Sequence, residues 1–295
     1  MHDSHIHLAM EPLKSNSDEV IHRFIQEGGK HILTQGTDIV DFDDNFQLAK
    51  KYNMGGKDII QVAIGLHPTY FEETFILNNI TEQIYEKSQK EIEKFKEIFE
   101  KRKKNISAIG ECGLDYYQFS LNQTYSEDIK EQLKEVQKLM LKEEIELALE
   151  NKLPMSIHSR DPMGESESTK DILRILAQEG RGLVTGSFHS YTGDIKYLED
   201  ILALGFHIGF NAIITYKSGE SVREILKKTP LDRILFETDG PFLPPQSVRK
   251  NKKIRNKFAQ PSDIKEIMEV AAEVKNISFE KLQEITDENY QRVFL

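Results

Sequence analysis

The sequence begins with MHDSHIHLAM, which brings three histidines and an aspartate within seven residues. If this stretch is a β-strand, Asp3, His5 and His7 share one face, because side chains alternate between the two faces of a strand. Two imidazoles on one strand face could bind one metal cation. A purification tag or an inconsequential surface cluster would also explain such histidines, so this pattern alone leaves the choice open.

Further residues of the same chemistry each follow a short apolar run. They are His67, Glu111, His158, His189 and Asp239. Each alone has an ordinary explanation, since a histidine before a proline could end a strand and an aspartate before Gly-Pro could belong to a turn. Together with His5 and His7, they form the imidazole and carboxylate set that divalent zinc or manganese prefers.

The elements that must position these residues are strands alternating with helices. Short β-prone runs occupy residues 1–8, 30–36, 61–68, 107–116, 153–160, 183–191, 206–212 and 233–242. Helix-like segments occupy residues 17–27, 43–52, 79–101, 126–151, 169–179, 195–204, 220–228 and 263–274. Eight such units predict a parallel sheet closed into a single (β/α)₈ TIM barrel over residues 1–295. The alternative, an open doubly wound sheet, would want a glycine-rich turn after the first strand, and none is present.

The candidate ligands all fall at the predicted C-terminal ends of strands. Active sites of barrel enzymes lie on that rim, so the sequence predicts one metal centre in the mouth of the barrel. Outside this set, His2, His22, His31 and His207 are interpreted as structural or surface residues, and Cys112 as packed.

Composition narrows the class of protein. The chain has 295 residues, of which 38% are hydrophobic and 30% charged, enough for a globular core. No run is apolar enough to cross a bilayer, and the N-terminus does not read as a secretory signal, so no membrane association is expected. The single cysteine favours a cytoplasmic location. A net charge of −10 argues against a general nucleic-acid coat protein, but not against an enzyme that holds phosphates locally.

Seven short motifs, spread in order over nearly the whole chain, carry a family resemblance. They are HDSHIHL, IGLHP, IGECGLDY, IHSR, FHSYTG, IGFNA and ETDGPFL. Their combination resembles the TatD family of metal-dependent deoxyribonucleases, within the amidohydrolase-like barrel superfamily. The resemblance implies a (β/α)₈ barrel that cleaves DNA phosphodiesters, often as an exonuclease, with two divalent ions (magnesium, manganese or zinc).

The resemblance also implies the ligands of each ion. One ion would be held by His5, His7, Glu111 and Asp239, and the other by Glu111, His158 and His189, so that Glu111 bridges both.

Catalytic and substrate-binding roles follow from that assignment. Asp239 is predicted to accept a proton from the attacking water, and His67 to hydrogen-bond the phosphate or the water. Arg160, on the same strand face as His158, could clamp a phosphate. Glu237 and Asn211 are predicted to orient ligand imidazoles.

A basic segment, residues 247–257, follows the eighth strand in an otherwise acidic chain. Lys250, Lys252 and Lys253 are predicted to attract a nucleic-acid backbone at the active-site rim, although a solvated connector is an equally good interpretation. The nearby RNKFAQP stretch departs from the family's usual Arg-Asn-Glu-Pro pattern. The resemblance therefore specifies the substrate less closely than it specifies the metal ligands. The charged segment 79–101 is interpreted as a long helix with a solvated face.

Two rival functions remain at this point. One is a metal-dependent hydrolase of cyclic amides or small phosphoesters, whose relatives commonly bridge the metals with a carboxylated lysine where this chain has Glu111. The other is a barrel that binds metal or nucleic acid without catalysis. The expected partner is DNA, with RNA as an alternative, and no obligatory protein partner is indicated.

Overall fold

The fold is a (β/α)₈ barrel, seen in a computed structural model that describes residues 1–76, 78, 83–121 and 125–295. Eight parallel strands form one sheet in sequential order, and each pairs with its neighbours along the chain. Strands β1 to β8 span His2–Ile6, His31–Gly36, Ile60–Ile64, Ala108–Asp115, Met155–Arg160, Gly186–Phe188, His207–Phe210 and Ile234–Phe236. The predicted fold class is therefore confirmed.

Backbone hydrogen bonds join the last strand to the first. The Asp239 N–H donates to His5 O at 2.9 Å, and the His7 N–H donates to Gly240 O at 2.8 Å. These bonds lie just beyond β8, so the loop that carries Asp239 is fixed directly against the strand that carries His5.

Helices surround the strands and shield them from solvent. Helices α1 to α11 span Ser17–Gln26, Phe42–Tyr52, Ile84–Arg102, Tyr117–Leu121, Glu127–Asn151, Glu167–Glu179, Leu198–Ala203, Glu220–Lys228, Gln246–Lys250, Ile264–Lys275 and Phe279–Phe294. Apolar residues of strands and helices form the core between the two layers, with Ile64, Ile157 and Phe210 fully buried. No helix among the described residues is long and apolar enough to cross a membrane.

Helix α11 was not predicted from the sequence. Its buried stripe mixes Leu282 and Tyr290 with the polar Thr286 and Asn289, which weakens the apolar periodicity. At the N-terminal end of the barrel, the side chain of Asn289 donates a hydrogen bond to the carbonyl of Ile234 at 2.9 Å. The helix therefore covers the end opposite the predicted site.

Several predicted boundaries were wrong. Strands β6 and β8 are only three residues long and end at Phe188 and Phe236, before His189 and Asp239. Asp239 itself has a left-handed backbone with φ of 55°. The predicted helix over 79–101 begins at Ile84, and residues 79–82 lie outside the described part. The first residues of the basic segment are helical, in α9, rather than loop.

Candidate metal centre

The predicted ligands converge at the C-terminal ends of the strands. His5, Glu111 and His158 lie within β1, β4 and β5, whereas His7, His189 and Asp239 lie just beyond strand ends. They meet at the base of a cleft of about 570 Å³, whose lining includes all of these except His5, which is fully buried beneath it. The structure thus brings together the six residues that the family resemblance implied as ligands.

The first group of ligands lies on the β1 and β8 side. His5 Nε2 is 3.4 Å from Glu111 Oε2 and 3.8 Å from Asp239 Oδ1. His7 Nε2 is 3.5 Å and 3.4 Å from the same two oxygens. Ligand atoms that each lie about 2.1 Å from one ion at a tetrahedral angle are about 3.4 Å apart. The spacing of this group suits a shared cation better than direct hydrogen bonds.

The second group lies on the β5 and β6 side and uses the other oxygen of the same glutamate. Glu111 Oε1 is 2.8 Å from His158 Nδ1 and 2.7 Å from His189 Nε2. The two imidazole nitrogens are 3.3 Å apart. Because Oε2 faces the first group and Oε1 the second, the carboxylate of Glu111 could contribute a ligand atom to each group.

One ligand atom offers an independent test of whether a cation fits. His5 Nε2 is buried and has no hydrogen-bond partner among the described residues. A buried polar atom without a partner is costly, and a metal ion would satisfy it. Three sets of His, Asp and Glu ligand atoms, each lying within 4.8 Å of one another, occur here: His5, Glu111 and His189; His5, His7 and Asp239; His67, Glu111 and His158. The donor set therefore fits divalent cations.

His67 lies beside this centre, in one of the three sets of ligand atoms that could hold a metal ion. Its Nε2 is 3.5 Å from Glu111 Oε1, and its Nδ1 faces the Thr69 hydroxyl at 2.8 Å and the Thr69 N–H at 3.2 Å. Nε2 is consequently the nitrogen presented to the cleft, available to a substrate oxygen or to a metal.

Partners behind the imidazoles fix which nitrogen faces the centre. His158 Nε2 lies 3.0 Å from Asp115 Oδ2, which leaves Nδ1 for the metal side. His5 Nδ1 lies 2.9 Å from Ser156 Oγ, which leaves Nε2 for the same purpose. Neither Asp115 nor Ser156 was singled out from the sequence. Strand alternation could have indicated both residues, because Asp115 lies on the same strand face as Glu111 and Ser156 on the same strand face as His158.

The predicted supporting residues Glu237 and Asn211 meet at Ser190 rather than both at an imidazole. Glu237 Oε1 accepts from the Ser190 N–H at 2.5 Å and lies 3.6 Å from His189 Nδ1. Asn211 donates to Ser190 Oγ at 2.6 Å and accepts from the Ile213 N–H at 3.1 Å, so its described hydrogen bonds go to residues other than the ligand imidazoles. A Cβ at Gly209 would lie 2.3 Å from Glu237 Oε2, so glycine is needed there to admit this buried carboxyl. The interpretation holds for Glu237 by proximity and was wrong for Asn211.

The electrostatics of the cluster favour charged carboxylates. Burial would raise the pKa of Glu111, but the facing histidines, His189 foremost, hold it well below its usual range. Burial likewise opposes ionisation of Asp239, and the neighbouring His7 lowers its pKa. Burial would lower the pKa of His158, but Asp115 and Glu111 raise it to about 9. A metal that binds His158 near neutral pH must therefore displace its proton, whereas burial lowers the pKa of His5 to about 3 and leaves that imidazole neutral.

The structure places one of the predicted substrate-binding residues in the cleft and the other three outside it. Arg160 lines the cleft, is exposed, and stacks its guanidinium 4.1 Å from the centre of the Tyr117 ring. The three lysines predicted to attract a nucleic-acid backbone are exposed and do not line the cleft, and they form no ion pair within the described part of the chain. They are Lys250, Lys252 and Lys253. Their contact with a substrate stays a prediction.

Comparisons with known proteins give the family and the fold of this chain. A family model described as TatD related DNase matches residues 2–295. The chain is 31% identical to an uncharacterised metal-dependent hydrolase of Bacillus subtilis, YabD, over 99% of this chain and 98% of the relative. It is 27% identical to the uncharacterised metal-dependent hydrolase YcfH of Escherichia coli, over 99% and 94% of the two chains. A crystal structure of YjjV, a TatD homologue from Escherichia coli, superposes with a TM-score of 0.77 at 23% identity, covering 100% of this chain and 97% of that one.

Proposed function

The chain belongs to the family of TatD-related DNases, and from this premise we propose that it is a metal-dependent deoxyribonuclease that hydrolyses DNA phosphodiester bonds, with exonuclease character. Its relatives are metal-dependent hydrolases by name. The observation that carries the proposal is the carboxylate of Glu111, whose two oxygens face two separate groups of ligands.

The ligands would hold two divalent ions of magnesium, manganese or zinc. When bound, they would supply an activated water and stabilise the attacking and leaving oxygens of a phosphodiester. The protein would contribute six ligands at or just beyond strand ends, and Asp115 and Ser156 orient the imidazoles of His158 and His5. Such fixed ligands keep positions open for water and phosphate.

Protein groups around the centre supply proton transfer and phosphate contacts. Asp239 is ionised, because its neighbours lower its pKa, and its Oδ1 faces the first ligand group, so it can accept the proton of the attacking water. His67 presents Nε2 to the cleft and can contact a phosphate oxygen. Arg160, at the opposite wall, can pair with a phosphate.

DNA is the proposed substrate, with RNA as the alternative within the same chemistry. The family description supports DNA, and the exposed basic side chains after β8 support a polyanionic substrate. The buried free thiol of Cys112 is consistent with a cytoplasmic enzyme.

The direct test is a nuclease assay with end-labelled single- and double-stranded DNA, labelled RNA and bis-p-nitrophenyl phosphate, each with added magnesium, manganese or zinc. We expect stepwise shortening of DNA that a chelator abolishes. Glu111→Gln, purified identically, controls for contaminating nucleases because it alters the bridging ligand. Hydrolysis of the small phosphoester without any cleavage of DNA or RNA would overturn the nuclease assignment while leaving a metal-dependent hydrolase.

A further inference from the structure

An exposed aromatic ring stands at the mouth of the cleft. Phe242 lies three residues after Asp239, lines the same cleft, and is 50% exposed. Among the phenylalanines whose side chains the structure describes, it is the only exposed one. A single exposed apolar residue is ordinary on a protein surface, but here its place beside the metal ligands gives it a use.

Backbone hydrogen bonds hold the loop that carries this ring, and the ring itself packs against one ligand imidazole. The Phe242 N–H donates to Asp239 O at 3.0 Å, and the adjoining Pro241 carbonyl accepts from the Ala259 N–H at 3.0 Å. The ring contacts His7 at a centroid distance of 5.7 Å and an interplanar angle of 71°. An aromatic group ordered before binding loses little conformational entropy on contact with a ligand.

Apolar side chains and a cationic side chain line opposite sides of the cleft. Met10, Phe242 and Leu243 line it on the β1 and β8 side. Arg160 lines it from β5, which lies across an eight-stranded barrel from β1. A nucleotide has the matching polarity, since it joins a flat, weakly polar base to an anionic phosphate.

We propose that Phe242 is the platform on which a nucleobase beside the scissile phosphate stacks, on the β8 side of the centre. The inference rests on the proposed nuclease function and adds a residue that positions the substrate. A competing role for the ring is to cover His7 and so protect the metal ligand, without contact to the substrate.

The test is a thermodynamic cycle that pairs removal of the Phe242 ring from the protein with removal of one base from the substrate. Wild type and Phe242→Ala are compared, with added manganese, on a single-stranded oligothymidylate and on a series in which each nucleotide in turn is replaced by an abasic analogue. Phe242→Trp keeps a stacking face, and Phe242→Leu keeps apolar bulk without one. Met163→Ala is the matched control, because Met163 is a fully exposed apolar residue after β5 that does not line the cleft.

In the wild type, one abasic position should lower kcat/KM about 5- to 150-fold, the usual contribution of stacking one base on an aromatic side chain. The same position should have less than about twofold effect in Phe242→Ala and Phe242→Leu, and its full effect in Phe242→Trp and Met163→Ala. Metal content, measured for each variant, should stay unchanged.

Three results would overturn the inference. An abasic penalty of equal size in wild type and Phe242→Ala would show that the base does not contact the ring. Loss of metal in Phe242→Ala would assign the ring to protection of His7. Failure of the wild type to cleave the intact oligonucleotide would instead refute the nuclease function on which the inference rests, so the two failures are distinguishable.

Discussion

Replacing Asp115 by asparagine should weaken metal binding about 10- to 100-fold while the chain stays folded, the usual effect of losing a partner behind a metal-binding histidine. Asp115 is buried, and its two oxygens accept from His158 Nε2 at 3.0 Å and from the Gln118 N–H at 3.1 Å. In asparagine one oxygen becomes an NH₂ group, so one of these donors would face another donor. Neutral His158 would then favour the tautomer with hydrogen on Nδ1, the nitrogen 2.8 Å from Glu111. That nitrogen would no longer offer a lone pair to a metal.

The pH dependence of this loss has a definite sign. Despite its burial, His158 has a pKa of about 9, raised by Asp115 and Glu111, so near neutral pH a metal must displace its proton. Removal of Asp115 lowers that pKa and partly relieves the competition from protons. The deficit of Asp115→Asn relative to wild type should therefore be larger at about pH 8.5 than at about pH 7.

The measurement is manganese or zinc affinity by chelator competition, on the metal-stripped protein at both pH values. Asp161→Asn is the matched control, because Asp161 accepts from the Ser168 N–H at 2.7 Å at the start of α6 and does not line the cleft. Wild-type affinity in Asp115→Asn, or an equal loss in Asp161→Asn, would refute the reasoning.

Three further predictions follow from other parts of the molecule. Asp239→Asn should lower turnover about 10²- to 10⁴-fold with an unchanged circular dichroism spectrum, and wild-type turnover at saturating metal would remove Asp239 from catalysis. Neutralising Lys250, Lys252 and Lys253 together should weaken binding to single-stranded DNA and reduce the log–log salt slope by up to about 2; an unchanged slope would leave them as solvated side chains. Burial lowers the pKa of His207 from 6.5 to about 4, so protonation favours unfolding and stability is lost as pH falls through that interval. In urea unfolding with a chelator present, lowering the pH should reduce the free energy of unfolding of His207→Phe by up to about 3 kcal/mol less than that of the wild type. An identical pH dependence in both proteins would contradict this.

The candidate metal ligands, which the structure brings together, could be predicted from the sequence because two strong geometric rules act on them. Strand alternation places His5 and His7 together, and the parallel barrel brings the C-terminal ends of its strands to one rim. The bridging geometry of Glu111 depends on side-chain torsions, so the sequence suggested it only through the family resemblance.

Other features depended on contacts that sequence patterns do not encode. Asp115 has the correct parity, but only the structure shows that it meets His158 rather than a metal. Asn211 donates to Ser190, which lies two residues beyond β6 with a left-handed φ of 46°. Asp239, three residues beyond the end of β8, is also left-handed, a backbone conformation that is uncommon for a non-glycine residue and that the sequence pattern did not indicate.

The most direct test of the two-ion centre is the metal content of Glu111→Ala. After equilibration with manganese or zinc and removal of free metal, elemental analysis should find two ions per wild-type chain and none at either site in the variant. Both ligand groups depend on this carboxylate, since its Oε2 lies 3.4 Å from His5 and its Oε1 lies 2.7 Å from His189. A variant that retains two ions and full hydrolytic activity would contradict the bridging role of Glu111.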